Sequence, residues 1–549
     1  MTTVDDYAGT IPGLLAAAAE RNAEGTWLRS DSGSLTFGAA VAVAGRTAGA
    51  LQELGVRRGD LVMMTARNTP PFLASWLALA SLGALTVAVN PRGSAAELAG
   101  LIGQTQPRLI ITDAGLAGTV AEAVQAGAGA GPQTADVTSL VPGDWADAGA
   151  MARAARDGRL PEVAIAPADP AVLIPTSGTT GRSKLVVQTH RAYAMAGEGF
   201  PFWMELTADD RMMTSLPLFH VNAPAYSVMG SLACGAGLVL LERFSASGFL
   251  DAARRHGATE FNAIGAMLEI LMRQPERPDD ASTPLRLCYT GPAPERERQL
   301  EMEQRLGLRI VVGYAMSESP YGLIWAHGTR PYGTLGSPRQ HPVLGLVNHA
   351  RVVSESGAEL GPGDSGELLL RNPVVTPGYF QMPEETARVI TADGWLHTGD
   401  LVTVNADGTY TFVSRIKEVI RRRGENLSPL EVEEVLAEHP SVLECAVVGV
   451  PSDLTEEEVK AFIVAADGRQ PDFAELRDFA AARLAAFKVP RYWQLIDVLP
   501  RTPTSRVAKH RLPEGHPPGE WDAAAAPSAA AGPGLQETTR QEDQCQNGQ

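Results

Sequence analysis

Cysteine is scarce in this chain: Cys234, Cys288, Cys445 and Cys545 are the only four in 549 residues, and no CxxC pair occurs. Such scatter provides neither a disulfide framework nor a thiolate zinc site. The four read as buried or incidental thiols of a protein kept in a reducing compartment, which points to the cytoplasm. Positive charge is also short. Lysine and arginine number 46 against 63 aspartates and glutamates, a net charge of −17. Nucleic acid or an anionic membrane is therefore not expected as the main partner, and any polyanionic ligand must be held by local positive charge. The opening residues, MTTVDDYAGTIPGLL, lack the basic start of a secretory signal. Long apolar runs are missing too. The one candidate, Phe72 to Val89, is borderline in length, is interrupted by Ser75, Ser81, Gly83 and Thr86, and runs into Asn90-Pro91. It reads as a buried helix followed by a buried strand, not as a membrane span.

What the chain does have is length. At 549 residues it exceeds one typical core, so two or three domains are expected. From about Arg92 to about residue 390, strand-like runs (LIITDA, LIPTSG, GLVLLERF, LRLCYTG, LRIVVGY) alternate with helical stretches such as Ser247 to His256 and Glu295 to Leu306. That alternation implies an α/β layered domain. Val124 to Pro132, rich in Ala and Gly, reads as a surface connection.

The chain is organised around Leu173 to Tyr193, LIPTSGTTGRSKLVVQTHRAY. An apolar run ends at Pro175, and Thr176, Ser177, Gly178, Thr179, Thr180 and Gly181 follow, with Lys184 behind them. Glycines let backbone N–H groups approach an anion, hydroxyls add donors, and a nearby lysine supplies countercharge. The run is not a Walker A sequence, and a Ser/Thr/Gly cluster by itself is more often an ordinary loop. TSGTTGxxK, however, resembles the nucleotide signature of the adenylate-forming superfamily of acyl-CoA synthetases, peptide-synthetase adenylation domains and luciferases. Thr36 to Pro91 is similar to the first lobe of the same superfamily, and matching motifs extend to Leu512.

The resemblance implies an α/β fold: a large multi-lobed N-terminal domain of layered sheets and helices over 1–416, and a small mobile α+β domain over 417–512. In the small domain a helix at Pro429 to His439, the strands CAVVGV and AFIVAA and a helix at Phe473 to Phe487 are expected. Residues 513–549, rich in Pro, Ala, Gly and Gln, are expected to form a disordered tail.

The resemblance also assigns roles, residue by residue. Thr176 to Gly181 and Lys184 would hold phosphates. In LPLFHVNAPAY, His220 would sit beside the acyl carboxylate, although by itself it reads as a satisfied structural histidine. Ala223, Ala225, Ile264, Gly265, Ala266 and Met267 would line the acyl pocket; none is charged, which suits an apolar, fairly bulky acid better than an amino acid. Gly291, Ala293 and Pro294, in the turn TGPAP, would face adenine. The turn GYAMSE would give Tyr314 for stacking on the base, Ser317 near phosphate or carboxylate, and Glu318 for Mg²⁺. Asp400, in HTGD at a strand-end turn, would bind ribose with Arg415; an aspartate so placed is otherwise a cap. Lys417 occupies the hinge, and Gly424 would line the channel for a pantetheine arm.

Family chemistry has two halves. A carboxylate and ATP give acyl-AMP and pyrophosphate, and then a thiol, usually of CoA, displaces AMP while the small domain alternates between two poses. This chain departs from the pattern where PxTxxGKxxK is usual. It reads PRTPTSRVAK, with Ser505 for Gly, Arg506 for the adenylating Lys, and Lys509 at the later basic position. Arginine keeps the charge, but its planar fork cannot place a compact ammonium between two oxygens. Losing one aimed donor typically costs about 3–4 kcal/mol of barrier. The expectation is therefore a CoA ligase biased toward thioester formation, fed by a separate adenylating enzyme. The alternatives are a complete ATP-dependent synthetase, transfer to a carrier-protein thiol, or a binding-only paralogue. A homodimer is compatible with all of them.

Overall fold

The computed structural model describes residues 3–4, 6–127, 131–141, 158–176, 183–291, 293–422, 425–452, 457–501 and 507–524. The chain divides into two compact units, the first running to Ile416 and the second opening at Lys417.

The first unit is built on a nine-stranded sheet, a six-stranded sheet and a four-stranded sheet. In the nine-stranded sheet, Thr26–Ser30, Gly237–Leu240, Arg211–Thr214, Glu260–Asn262, Leu287–Thr290 and Arg309–Met316 lie side by side and parallel. The helices Phe249–His256 and Arg296–Leu306 fall between these strands in sequence, as the alternation predicts, and each ends on a glycine in the left-handed conformation, Gly257 and Gly307. Parallel strands place all their carboxyl ends on one edge, where α/β folds assemble their sites. Thr290 pairs with Val312, so Gly313–Met316 project beyond the neighbouring strand.

In the six-stranded sheet, Gln133–Asp136, Leu109–Thr112, Leu61–Thr65, Leu85–Ala88 and Pro170–Thr176 are parallel, and Lys184–Thr189 closes the row as the antiparallel arm of a hairpin. The apolar run tested for a membrane span forms the helix Pro70–Leu82, buried at every position, and the strand Leu85–Ala88. Its apolar character on all sides is that of a helix sealed within a core. Thr69 caps its start and Gly83, at φ 65°, ends it. Among the described residues no helix is long and apolar enough to cross a membrane.

In the second unit, Val442–Pro451, Glu457–Ala465, Tyr492–Leu495 and Trp521–Asp522 form a sheet with the helices Pro429–Ala437 and Phe473–Ala481. Two expectations need correction. The second helix stops at Ala481 instead of Phe487; beyond it the carbonyls of Phe487 and Val489 accept from the Arg422 guanidinium at 2.8 and 2.9 Å. That contact turns the chain into the strand beside Glu457–Ala465. The described part of the expected tail, 513–524, is also ordered. Trp521 pairs with Trp493, and Glu520 meets the fully buried Lys460 at 2.5 Å. Composition counted the prolines and alanines of this stretch and missed Trp521 and the aimed acids Glu520 and Asp522. The remainder of the tail lies outside the described residues.

Two stability predictions follow from buried charge. Removing one partner of a buried pair costs about 3–5 kcal/mol, whereas replacing both with apolar side chains is often neutral. Glu520→Ala should therefore lower the denaturation midpoint of the second unit, and Lys460→Met with Glu520→Leu should restore most of it; equal losses in both would contradict the pairing. In the first unit, Glu260 is fully buried and neither carboxyl oxygen has a hydrogen-bond partner among the described residues. Burial, then the Asp210 charge, holds its pKa well above the usual carboxylate range against the opposing pull of Arg286. The folded state thus keeps a proton that the unfolded chain releases. The resulting stability is fully present below the ordinary carboxylate pKa and is lost as pH rises toward the raised value. Glu260→Gln should flatten the fall of the thermal midpoint between mildly acidic and mildly alkaline buffer; an unchanged slope would refute a neutral Glu260.

Candidate active site

The hairpin of Pro170–Thr176 and Lys184–Thr189 closes on the pair Thr176 and Lys184, with the Thr176 hydroxyl donating to the Lys184 carbonyl at 3.2 Å. The intervening Ser177, Gly178, Thr179, Thr180 and Gly181 lie outside the described residues. The Lys184 ammonium is 2.6 Å from Glu385 and lies 5.0 Å above the centre of the Tyr379 ring.

The turn after Leu287–Thr290 comes hard against the projecting end of Arg309–Met316. A Cβ on Gly291 would lie 2.5 Å from the Gly313 carbonyl, so only glycine permits this approach. Gly291, Ala293 and Pro294 are partly buried there. GYAMSE is not one turn: Gly313 to Met316 continue the strand, Met316 pairs with Ser319, and only Ser317 and Glu318 form the connection of a hairpin.

Tyr314 is partly buried, and its hydroxyl donates to Asp400 Oδ2 at 2.5 Å. Burial of that hydroxyl, then the Asp400 charge, pushes its pKa well up. Asp400 is fully buried, and Arg415 Nε meets its other oxygen at 2.7 Å. HTGD was expected at a strand-end turn. It lies instead inside the strand Leu396–Val404, where Gly399 adopts φ 70° and Asp400 faces Arg415 across the ladder. The cross-strand pairing explains why the aspartate is here: a buried carboxylate needs donors from both sides.

Glu318 is anchored from two directions. Its carbonyl accepts from the Thr376 N–H at 2.7 Å, and its Oε1 accepts from the Tyr379 hydroxyl at 2.9 Å. Its Oε2 has no partner among the described residues. The neighbouring Ser317 carbonyl accepts from Gln188 Nε2 at 2.5 Å. The described residues contain no group of three or more His, Cys, Asp or Glu side chains able to hold a metal. One carboxylate with an open oxygen suits a hard cation that takes its remaining ligands from phosphates and water.

Around the expected acyl pocket, Ala223, Ala225 and Met267 are buried, with Ala223 and Ala225 on a π-helical turn, Ala223–Val228, and Ile264 at the head of the helix Gly265–Met272. Such turns are rare and favour functional positions. The backbones of Gly265 and Ala266 open that helix. Asn262 donates to Asn222 at 2.8 Å, a polar pair the sequence did not single out. The His220 ring lies 4.3 Å from that of Phe219.

Behind these elements sits the buried Arg339. Its guanidinium donates to the Tyr226 hydroxyl and the Leu323 carbonyl, both at 3.0 Å, and to the Tyr289 hydroxyl, and it faces the Trp203 ring at 4.7 Å. Nothing in the local sequence signals this, because its partners come from four distant segments.

In the second unit, Lys509 reaches Glu433 at 2.9 Å and Glu418 at 3.2 Å. Burial works against its charge, but the two carboxylates outweigh it and hold the pKa above the usual lysine value. Lys417 is exposed on the turn Ile416–Glu418. Gly424 and Arg506 lie outside the described residues.

Residues 15–380 match the family described as AMP-binding enzyme, and residues 431–506 match the AMP-binding enzyme C-terminal domain. Crotonobetaine/carnitine–CoA ligase of Salmonella paratyphi B is 32% identical over 478 residues, covering 85% of this chain and 90% of that protein. The fold is similar to o-succinylbenzoate CoA synthetase of Bacillus subtilis in complex with its acyl-adenylate intermediate, at 25% identity and TM-score 0.80 over 92% of this chain and 98% of that one. It is also similar to ATP-bound MatB of Rhodopseudomonas palustris, at 26% identity and TM-score 0.78 over 91% and 97%.

Tyr314→Phe keeps the ring and strips the buried Asp400 of one donor. Hydrogen bonds to charged groups contribute about 1.5–3 kcal/mol, so the variant should unfold at clearly lower denaturant than the parent. An unchanged midpoint would mean that this contact carries no energy.

Proposed function

The chain belongs to the family of AMP-binding enzymes, and from that premise we propose an acyl-CoA ligase for an apolar, fairly bulky carboxylic acid, impaired in adenylation and intact in thioester formation. In the first half-reaction the carboxylate attacks the α-phosphorus of ATP and pyrophosphate leaves. In the second the CoA thiol attacks the acyl carbon, and AMP departs with the oxygen that linked it to the acyl group.

The observation that carries the bias is the fate of the C-terminal cations. Arg506 stands where the family pattern has its adenylating lysine. Lys509, the next cation able to replace it, is held by Glu418 and Glu433. To serve substrate it would have to leave two carboxylates in a largely buried setting. The acyl-adenylate then comes from a separate adenylating enzyme. Retention of positive charge at Arg506 favours the second reading, a complete two-step synthetase.

The remaining residues have parts in both halves. Lys184 and the hydroxyls and glycines of Thr176 to Gly181 hold phosphate, Gly291, Ala293, Pro294 and Tyr314 frame adenine, and Asp400 with Arg415 receives the ribose hydroxyls. His220 and Ser317 flank the reacting carboxylate. Lys417 is the pivot between half-reactions and Gly424 lines the thiol channel. Magnesium, which neutralises phosphate charge when bound, would be held by Glu318 through Oε2. The uncharged Ala223, Ala225 and Met267 support an apolar acyl group, since a substrate ammonium would need a counter-ion there.

The test is acid-dependent exchange of labelled pyrophosphate into ATP over a panel of aromatic and branched aliphatic acids, with crotonobetaine and carnitine included. The expected result is weak exchange by the parent with apolar acids and a rise on the order of a hundredfold in Arg506→Lys, the scale of one aimed transition-state donor. Ordinary exchange by the parent, or no gain in the variant, would favour the complete synthetase. Preference for a zwitterionic acid would overturn the pocket assignment.

A further inference from the structure

We propose that Tyr379 is a positioning residue that fixes the Glu318 carboxylate and the Lys184 ammonium in one arrangement, so that both meet the same magnesium–polyphosphate. This rests on the reading of Glu318 as the metal carboxylate and of Lys184 as phosphate countercharge.

Glu318 and Lys184 come from different sheets, at the tip of one hairpin and at the base of the loop closing another. One side chain touches both. The Tyr379 hydroxyl donates to Glu318 Oε1 at 2.9 Å, and the face of its ring lies 5.0 Å below the Lys184 ammonium. The hydroxyl occupies one carboxylate oxygen and thereby turns Oε2 outward. The ring offers its negative face to the cation without neutralising it.

Tyr379 is itself held firmly. It forms an antiparallel bridge with Val186, and its N–H donates to the Thr386 hydroxyl at 2.9 Å. On either side, the Val187 N–H donates to the Gly378 carbonyl at 3.0 Å and the Phe380 N–H to the Leu185 carbonyl at 2.8 Å. Gly378 takes φ 141°, and a Cβ there would lie 2.6 Å from the Thr386 side chain, so this seat demands glycine. The residue is 9% exposed. Its backbone is thus part of the same sheet edge that carries Lys184, and its side chain spans from that edge to the Glu318 hairpin. Partners behind a metal ligand typically change metal affinity by about 10–100-fold when removed.

Lys184 has a second neighbour, Glu385, 2.6 Å away in the first turn of the helix Pro383–Val389. This carboxylate occupies the kind of position an incoming phosphate oxygen would take. With the ring beneath it, the ammonium can exchange one anion for the other without moving its seat.

The experiment is calorimetric titration of ATP into the full-length protein, in EDTA and over a series of magnesium chloride concentrations, for the parent, Tyr379→Phe, Tyr379→Leu and Glu318→Gln. Tyr379→Phe, which keeps the ring, should raise the magnesium concentration for half-maximal tightening of ATP about tenfold and leave binding in EDTA unchanged. Tyr379→Leu should weaken ATP in EDTA as well, because Lys184 loses its seat. If Glu318→Gln shifts the magnesium dependence and Tyr379→Phe does not, the inference about Tyr379 is wrong and the reading of Glu318 survives. If Glu318→Gln has no effect on it, that reading fails and takes the inference with it. Equal loss of ATP binding with and without magnesium in Tyr379→Phe would make Tyr379 merely structural.

Discussion

The candidate site depends on one buried carboxylate. Asp400 is out of reach of water, and burying a charge is tolerated only where donors surround it. Its donors come from two sheets: Arg415 from the neighbouring strand of the four-stranded sheet, and Tyr314 from the projecting end of the nine-stranded one. That end cannot slide or twist without exposing or orphaning the charge. It is packed from behind as well, since a Cβ on Gly313 would lie 2.5 Å from the Arg339 guanidinium. The hairpin tip that follows, Ser317 and Glu318, therefore occupies a defined place, within reach of the segment that carries Tyr379.

A second regularity concerns positive charge, of which the chain has little. Lys184, Arg415 and Lys509 are each paired with a carboxylate of their own unit: Glu385, Asp400, and Glu418 with Glu433. A polyanionic substrate must displace such a partner or share it. Exchange at Lys184 displaces one carboxylate, Glu385, whose side chain is 27% exposed. It is harder for Lys509, whose partner Glu433 is itself desolvated enough to have its pKa raised. Lys184 and Lys509 are equally exposed, at 18% of the side chain, and differ in the carboxylates that hold them.

Much of the layering was legible from the chain. Alternating apolar runs and helical stretches located the parallel strands, and the helices expected to end at His256 and Leu306 do end there. The apolar run beginning at Phe72 was separable from a membrane span by its length and interruptions. The motifs also lay where strands end, which is where a parallel sheet gathers its chemistry. What was not legible depends on partners far apart in sequence. Asp400 looked like a turn cap because its meaning lies in the donors Tyr314 and Arg415. Tyr379 was passed over because Glu318 is 61 positions away. Arg339 offers no local pattern at all. Residues 513–524 were assigned by composition, which does not register that a single acid can be aimed at a single buried lysine.

The account stands or falls on the second half-reaction. The most direct measurement is to mix the purified protein with the synthetic acyl-adenylate of an apolar acid and CoA, and to follow thioester and AMP together. The account predicts that both appear in equal amounts, far faster than in buffer, with no ATP present. Adenylate that remains bound, or is hydrolysed to free acid without consuming CoA, would contradict it.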